Sequence, residues 1–340
     1  MILSPGVDTA NANAVRIAKT HDICFVGEIE FSFWLTKAKI IAITGTNGKT
    51  TTSHLTYEAL RRKNRRVFLG GNIGTPFSSF VLKTKKDDLV VLEISSFQLE
   101  TIRSFKPYVS ALLNVAPDHL DRYAAFKDYF DLKMDIFKNQ DKDDWAVVNA
   151  RIDLRGNGHK LKAKIVRFSD EFPNENFSCV YKIAGIFGVS RKVAAGVFAG
   201  FKGLPHRMQF LRQIRRISFI NDSKATNPAS VVWALGSLNA PVILIAGGKD
   251  KGLDFSGIVP HLKGVKKVFL FGEARRRIQN EIGSYVETLT LTSLKDCVSE
   301  SFKQAEEGDV VLFSPMCSSF DMFSDYVERG NKFIEIVESF

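Results

Sequence analysis

Residues 39–52 read KIIAITGTNGKTTT, and they carry the clearest structural pattern in the chain. Its β-branched apolar run, residues 40–43, predicts a buried strand. A glycine-rich turn at residues 45–50 and a helical pattern at residues 51–63 follow directly. A strand–loop–helix unit of this kind aims backbone N–H groups and the positive end of the helix dipole at one point, where a phosphate can bind. The stretch therefore predicts a phosphate-binding loop.

The residue types in the loop suit a nucleotide. Lys49 would reach the β- and γ-phosphates, and the Thr50 hydroxyl would ligate Mg²⁺. The usual pattern has a further glycine where Ile43 stands, so Gly45 would make the turn instead. An ordinary strand-to-helix turn that happens to contain Gly-Lys-Thr is the alternative. The predicted nucleotide contacts are the loop residues Gly45, Thr46, Asn47, Gly48, Lys49, Thr50 and Thr51.

Length and composition indicate a globular protein with two or three domains. The chain has 340 residues, of which 45% are hydrophobic and 25% are charged, enough for a core in each domain. No apolar run approaches the roughly 18 residues of a membrane span, and the N-terminus lacks a signal-peptide pattern. The four cysteines are widely separated, which favours free thiols in a reducing cytoplasm.

The formal net charge of +10 indicates a preference for anions. The basic residues cluster near predicted helix ends and turns, where they complement the helix dipole or keep the surface solvated. Aromatic residues do not interleave with them as in a nucleic-acid stacking surface. We therefore expect a monomer that binds anionic small-molecule substrates, with no nucleic-acid or membrane partner. Nucleic-acid binding is the weaker alternative.

Alternating strand and helix patterns predict an α/β fold. Residues 39–205 would form a central P-loop domain with a mostly parallel sheet, and residues 206–340 a second, Rossmann-like α/β domain. Residues 1–38 are too few for a domain of their own. Gly203-Leu204-Pro205 is the predicted hinge. Polar residues that follow several strands indicate the ligand-binding edge of such sheets.

Polar side chains that follow two strands of the first domain are candidate metal ligands. Glu93 ends an apolar strand, where a carboxylate beside a phosphate loop can hold a nucleotide's Mg²⁺; an exposed strand-end glutamate is the alternative. His119 shares its turn with Asp118 and Asp121. It could ligate a second cation or orient a phosphate, and a structural histidine is the alternative. The residue pattern around Lys133, taken alone, predicts that it is a solvated lysine on a helix.

Loops of the second domain predict another binding face. They read NDSKATN at 221–227, GGKDKG at 247–252 and SPMCSSFD at 314–321, and each follows a predicted strand. Hydroxyls and amides before a helix N-terminus favour an anion site, although helix capping would need only one of them. Each loop is weak evidence alone, but together they indicate a binding surface.

These segments, in this order, resemble the Mur ligase family, in its D-glutamate-adding branch. The resemblance extends from about residue 4 to the C-terminus. The motifs that carry it are TGTNGKT (44–50), LEISSFQLE (92–100), DHLDRY (118–123), GLPHR (203–207), NDSKATN (221–227) and SPMCSSFDMF (314–323). It implies that ATP phosphorylates the lactoyl-alanine carboxylate of UDP-N-acetylmuramoyl-L-alanine. The amine of D-glutamate then attacks the acyl phosphate, a step of peptidoglycan synthesis.

The resemblance also implies roles for individual residues. Lys49 would stabilise the moving phosphoryl group, while Thr50 and Glu93 hold one Mg²⁺. His119 would hold a second cation, and a carbamylated Lys133 would ligate metal through its added carboxylate. The remaining implied roles are nucleotide binding by Arg207 and Asp222, catalysis at the transferring phosphate by Lys224, UDP-sugar binding by Gly6 and Asn72, and D-glutamate binding by Thr226, Lys251, Ser319 and Phe320.

The chain departs from the family at its N-terminus. Members begin with a complete Rossmann-like domain that binds the UDP moiety, and only its last part, residues 1–38, is recognisable here. This implies a fragment or impaired uridine binding. The stretch expected to carry an adenine-side asparagine reads ENFSC at 175–179. Two alternatives stay open, namely a truncated nucleotide-binding relative without ligase activity and a ligase of the family that acts on another acid, such as a folate.

Overall fold

The computed structural model describes residues 1–4, 7, 12–63, 66–118, 123, 125–154 and 161–340. It divides into two compact units. Unit 1 comprises Met1–Val115 and Ala125–Phe201, and unit 2 comprises Ala116–Ala124 and Lys202–Phe340. Both units are α/β, which confirms the predicted fold class. The predicted boundaries at residues 38 and 205 stay predictions.

Unit 1 contains a parallel sheet covered by helices. Its elements are β1 (Ile2–Leu3), α1 (Asn13–Thr20), β2 (Val26–Gly27), α2 (Glu28–Trp34), β3 (Lys39–Thr44), α3 (Lys49–Arg61), β4 (Val67–Gly71), β5 (Leu89–Glu93), α4 (Ser96–Leu99), β6 (Val109–Leu112), α5 (Phe126–Met134), β7 (Trp145–Asn149), β8 (Lys164–Phe168), α6 (Glu175–Ile186) and α7 (Arg191–Ala199). Among the described residues, the order in the main sheet is β4-β5-β3-β6-β7-β8 and every pairing is parallel.

The central strand β3 is apolar on both faces because both faces of the sheet are covered. Ile40 and Ala42 point into one hydrophobic cluster, and Ile41 and Ile43 into the other. A parallel strand buried in this way shows a continuous apolar run rather than alternation. The run places the phosphate loop at the carboxyl end of a strand in the middle of the sheet.

Glu30 of α2 ties the N-terminal segment to the rest of unit 1. Its carboxylate accepts backbone N–H bonds from Arg103, Ser104 and Phe105, at 2.8–2.9 Å, and a bond from the indole of Trp34. Burial alone would raise the pKa of Glu30, but the three backbone bonds and the Ser104 hydroxyl lower it overall. The side chain is fully buried, so an ionised carboxylate replaces its water shell with protein donors.

Unit 2 contains a second sheet. Its elements are β9 (Gln209–Ile214), β10 (Ile217–Asn221), α8 (Pro228–Gly236), β11 (Val242–Gly247), β12 (Val265–Phe271), α9 (Arg275–Ile282), β13 (Thr288–Thr290), α10 (Leu294–Gln304), β14 (Val310–Phe313) and α11 (Tyr326–Glu338). In the described part of the chain the order is β13-β12-β11-β14-β10-β9. Only β9 runs antiparallel to its neighbour there.

Several details differ from the sequence prediction. The residue pattern over 180–201 predicts helix, and the structure has two helices there, α6 and α7, because Gly188 adopts φ +77° between them and Ser190 caps the second. The edge strand β9 was not predicted, since its exposed Phe210 and polar residues give no clear strand pattern. No helix within the described ranges is long and apolar enough to cross a bilayer. All four cysteines are described and are free thiols.

Candidate active site

The phosphate loop joins β3 to α3 and is held in shape by Asn114. The Asn47 N–H donates to the Asn114 side-chain oxygen at 2.8 Å, and the Asn114 amide donates back to the Asn47 carbonyl at 3.1 Å. Gly48 caps the helix at φ +82°, and a Cβ there would lie 2.3 Å from the Asn176 side-chain oxygen. Glycine suits this position, because a side chain would be strained at this φ and would crowd Asn176. The bonds to Asn114 and this glycine define the shape of the loop.

Lys49 lies over its own loop. Its ammonium donates to the carbonyl oxygens of Gly45 and Thr46, at 2.8 Å each. The first turn of α3 follows, with its N–H groups and dipole directed toward the same corner. Cationic side chain, glycines and helix N-terminus therefore form one concentrated positive region that suits a phosphate.

Glu93 is buried beside this loop. It is 2% exposed, so the alternative of an exposed strand-end glutamate is wrong. It lies opposite Ile43 in the parallel pairing of β5 with β3, one residue before the end of β3. One carboxylate oxygen accepts a bond from the Asn72 amide at 2.9 Å. The other is buried and has no hydrogen-bond partner among the described residues.

The unpartnered oxygen of Glu93 fits a cation. A buried carboxylate oxygen without a partner is costly, and Mg²⁺ is typically held by one or two protein oxygens together with water and phosphate oxygens. Thr50, in the first turn of α3, supplies a hydroxyl of the kind used for this purpose. No cluster of three or more His, Cys, Asp or Glu side chains among the described residues could hold a metal by itself. The residues present thus fit a nucleotide-bound Mg²⁺ rather than an all-protein cage.

Asn72 connects two predicted sites. Besides its amide bond to the Glu93 carboxylate, its backbone N–H donates to the Glu93 carbonyl at 2.8 Å. Gly71 precedes it at φ +94°, and a Cβ there would lie 2.4 Å from that carbonyl oxygen. The structure therefore brings a residue expected to contact the UDP-sugar next to the residue expected to hold Mg²⁺.

Lys133 is not the solvated lysine that its residue pattern predicted. It is 1% exposed, because tertiary packing turns this face of α5 toward the phosphate loop. Its amine donates to the Gly45 carbonyl at 3.1 Å and lies 4.5 Å from the centre of the Tyr129 ring. The Tyr129 hydroxyl is 3.4 Å from the Thr46 hydroxyl. Tyr129 was missed in the sequence, although it precedes Lys133 by one helical turn.

Two predicted site residues cannot be placed. Gly6 and His119 lie outside the described residues, so their proposed roles rest on the sequence alone.

In unit 2, Asp222 is a buried carboxylate. One of its oxygens accepts the Met208 N–H at 3.1 Å and the other accepts the Ser314 hydroxyl at 2.8 Å. Burial raises the pKa of Asp222 to about 6, although these bonds and the charge of Arg207 oppose the change. Arg207 itself is half-buried. A carboxylate at the end of a strand whose ionised form is destabilised by burial is typical of a functional position.

Lys224 is oriented by an aromatic residue that the sequence prediction missed. Its ammonium donates to the Tyr326 hydroxyl at 3.1 Å and lies 4.5 Å from the centre of that ring. Its backbone N–H donates to the carbonyl of His206 at 3.1 Å. The His206 ring contacts Asn221 at 3.0 Å, and burial lowers the pKa of that histidine. The loop after β10 is therefore fixed at both its backbone and its side chains.

The residues expected to bind D-glutamate are spread over loops of unit 2. The Lys251 ammonium lies 2.6 Å from one carboxylate oxygen of Asp118, and the Asn227 amide donates to the other at 3.1 Å. Ser319 is 2% exposed, whereas Phe320 next to it is 68% exposed. Thr226 is half-buried. The structure thus shows that Lys251 sits where it can pair with a carboxylate.

Comparison with known families agrees with this geometry. The profile of the Mur ligase middle domain matches residues 43–185, and that of the Mur ligase, glutamate ligase domain matches residues 206–317. The UDP-N-acetylmuramoylalanine–D-glutamate ligase of Thermoanaerobacter sp. (strain X514) is 38% identical over 99% of this chain and 83% of its own length. The chain belongs to the Mur ligase family. The protein of the same name from Geobacter metallireducens is 40% identical, over 98% of this chain and 81% of its own length.

Solved structures share the fold of this Mur ligase. The MurF ligase from Thermotoga maritima in complex with ADP superposes with a TM-score of 0.71, at 16% identity, over 99% of this chain and 94% of that one. E. coli FolC in complex with ADP, without folate substrate, gives a TM-score of 0.70, also at 16% identity, over 96% and 98% of the two chains. At such identities the likeness concerns the fold alone.

Proposed function

We propose that this Mur ligase joins D-glutamate to UDP-N-acetylmuramoyl-L-alanine at the expense of ATP. The relatives at 38–40% identity carry the corresponding ligase name. The single structural observation that carries the proposal is the phosphate loop with Lys49, next to a buried Glu93 that keeps one oxygen without a partner among the described residues. That combination suits a nucleotide with its divalent cation.

The reaction divides into two transfers. In the first, a carboxylate oxygen of the UDP-linked acid attacks the γ-phosphorus of ATP and ADP leaves. Loop amides and Lys49 hold the phosphates in line and neutralise the charge that moves onto ADP. In the second, the amine of D-glutamate attacks the acyl carbon, loses a proton, and phosphate departs with the C–O bond electrons.

A bound Mg²⁺ would supply charge neutralisation between phosphate oxygens. Thr50 and Glu93 are the residues that would hold it, and Asn72 would keep the Glu93 carboxylate in position through the bond at 2.9 Å. Asn72 would also contact the UDP-sugar, as would Gly6. His119 would hold a second cation. In unit 2, Arg207 and Asp222 would bind the nucleotide and Lys224 the transferring phosphate.

D-Glutamate would bind to the loops of unit 2. It carries two carboxylates, and Lys251 is already placed 2.6 Å from a carboxylate oxygen, that of Asp118. A substrate carboxylate can take over such an ion pair without further desolvation of the ammonium. Thr226 and Ser319 would add hydroxyl donors, and the exposed ring of Phe320 would cover the bound amino acid.

Lys133 would be carbamylated. The ammonium first loses one proton. Carbon dioxide then adds to the neutral amine, a C–N bond forms, and a second proton is released, so the net change turns a cation into an anion. The buried position of Lys133 next to the Gly45 carbonyl supports this proposal. A buried ammonium costs free energy when it lies near a second one, here that of Lys49, which donates to the same carbonyl. Protein labelled with ¹³C-bicarbonate should show a carbamate carbon by NMR that the Lys133→Ala variant lacks.

Release of ADP and phosphate tests the main proposal. It should require both UDP-N-acetylmuramoyl-L-alanine and D-glutamate, and Lys49→Ala should abolish it. Lys63→Ala, which changes an exposed lysine just after α3, is the matched control and should keep full activity. No release, or equal release with L-glutamate or other amino acids, would refute the assignment.

Two measurements separate the alternatives. A nucleotide-binding relative without ligase activity would be stabilised against heat by ATP but not by the UDP-linked acid. A folate-type ligase would release phosphate with a folate in place of that acid. The FolC likeness does not favour it, since 16% identity shows the fold alone.

We further propose that the protein is a cytoplasmic monomer with no nucleic-acid or membrane partner. The dispersed free thiols, one of them the exposed Cys24, agree with a reducing compartment. Light scattering after size exclusion should give a mass near 38.0 kDa. A stable dimer would contradict the proposal.

A further inference from the structure

Arg329, on α11, is a fully buried cation. Its guanidinium spans two loops of unit 2. One terminal nitrogen donates to the carbonyls of Cys317 and Ser318, at 3.0 and 3.1 Å. The other donates to the carbonyl of Ser223 at 2.7 Å, and the Nε–H donates to the Ser223 hydroxyl at 3.1 Å. Its hydrogen-bond partners among the described residues are therefore neutral oxygens and not carboxylates.

Such an arrangement costs free energy that a hydrophobic side chain would not. Burial lowers the pKa of Arg329 to about 10, so the group still carries its charge at neutral pH. The charge of Asp321 favours the cation, but the groups that accept hydrogen bonds from it are neutral. Burying a cation in this way is unfavourable, and well-packed apolar residues often stabilise a core more. What a guanidinium offers instead is a planar set of donors that fixes the positions of several acceptors at once.

The loops that Arg329 joins carry the predicted site residues of unit 2. Ser223 lies between Asp222 and Lys224, on the side expected to contact the nucleotide and its phosphate. Ser318 directly precedes Ser319, on the side expected to bind the amino acid. Arg329 itself is buried behind both loops, where a substrate cannot reach it.

A third loop packs against the same group. The Lys249 N–H donates to the Ser318 carbonyl at 2.9 Å. A Cβ on Gly248 would lie 2.3 Å from that carbonyl oxygen and 3.0 Å from Arg329 itself. The loop that carries Lys251 is thus held at the same point.

Helix α11 is itself fixed against the loop after β10. The Ser223 hydroxyl donates to the Tyr326 carbonyl at 2.9 Å while it accepts from Arg329. At Gly330 a Cβ would lie 2.2 Å from the His206 ring. This close approach restricts movement of the helix relative to His206. It therefore also restricts movement of Arg329 relative to the loops.

From these contacts we propose that Arg329 is a positioning residue of the ligase. It sets the distance between the loop of Asp222 and Lys224 and the loop of Ser319 and Phe320, so that the nucleotide side and the D-glutamate side of unit 2 stay in register. The inference rests on the proposed function. It predicts that removing the guanidinium weakens the binding and turnover of the substrates bound by unit 2. Binding of the UDP-linked acid should be unchanged.

Steady-state kinetics of Arg329→Lys and Arg329→Met test the inference, with each substrate varied in turn. A misplacement of about 1 Å can cost roughly 100-fold in rate, so Arg329→Met should raise the KM for D-glutamate about tenfold and lower kcat about 10- to 100-fold. The KM for the UDP-linked acid should stay within about twofold. Arg329→Lys, which keeps the charge but loses the planar fork, should lie between. Arg276→Met, at an exposed arginine of α9, is the control and should match the wild type.

The outcomes separate this inference from the proposed function. If the wild type shows no turnover that depends on D-glutamate, the proposed function fails, whatever the variants do. If the wild type turns over and both Arg329 variants keep its kcat and KM values, the positioning role is wrong. It is equally wrong if kcat falls only in proportion to the folded fraction measured by circular dichroism, with all KM values unchanged. Should Arg329→Met fail to fold, Arg329→Lys decides the question by the same criteria.

Discussion

Replacing Asp222 by asparagine should stabilise the protein at neutral pH. The carboxyl has its pKa raised from 3.8 to about 6 by burial. A folded-state pKa above the unfolded value means that the folded state binds the proton more tightly. Stability from this group is fully present below pH 3.8 and is lost as the pH rises through about 6.

The size of the effect follows from the shift. About two pKa units at 1.36 kcal/mol each give about 3 kcal/mol at pH 8, and the same linkage leaves only about 1 kcal/mol at pH 4.5. The asparagine oxygen can still accept the Met208 N–H, and its amide can donate to the Ser314 hydroxyl oxygen, so both bonds survive. For a unit of this size the gain corresponds to a Tm increase of roughly 6–12 °C.

Differential scanning calorimetry of the wild type and Asp222→Asn between pH 4.5 and 8 checks this. The Tm difference should grow with pH and then level off above pH 7. Asp254→Asn, which changes an exposed carboxylate of the same unit, should show no such trend. A variant that melts at or below the wild-type temperature at pH 8, or a difference independent of pH, would refute the reasoning. Nucleotide affinity should fall in the variant, since natural sequences often trade stability for a functional group.

Other substitutions give equally direct tests. Glu30→Gln should cost about 1–3 kcal/mol above pH 4.5, because an ionised carboxylate held by backbone donors is lost. The pKa of Glu30 is lowered in the folded protein, so the stability difference between wild type and variant should shrink as the pH falls from 4.5 through the lowered pKa. Urea unfolding at several pH values measures this difference. Gly48→Ala should remove the stabilisation by ADP in a thermal-shift assay, since its Cβ would strike Asn176 and φ +82° costs about 1–2 kcal/mol for alanine. Tyr326→Phe should lower kcat roughly 3- to 10-fold with little change in Tm, because the hydroxyl bond to Lys224 is lost while the ring stays.

The local parts of this fold could be predicted from the sequence. The apolar run of β3, the glycines of the phosphate loop and the amphipathic α3 are close together in the chain, so periodicity and turn chemistry suffice. The same holds for the strand that ends at Glu93, and for the loop at residues 221–227. Each of these features is confirmed as an element of the structure, while the roles of their residues stay proposals.

Features set by packing could not be predicted. Lys133 and Arg329 both lie on helices, where a charged residue is usually solvated, and only the tertiary structure shows that each is at most 1% exposed. The break between α6 and α7 depends on Gly188 within a largely apolar run. β9 is an edge strand whose pattern is decided by one neighbour, β10.

The carbonyl oxygen of Gly45 accepts hydrogen bonds from two lysine amines, Lys49 at 2.8 Å and Lys133 at 3.1 Å. Two such groups on one oxygen repel each other when both are protonated. Any arriving polyanion would relieve that repulsion, and so would conversion of Lys133 to an anion. A polyanion bound at this corner would offset both ammonium charges at once, so the affinity for a triphosphate should weaken as ionic strength rises.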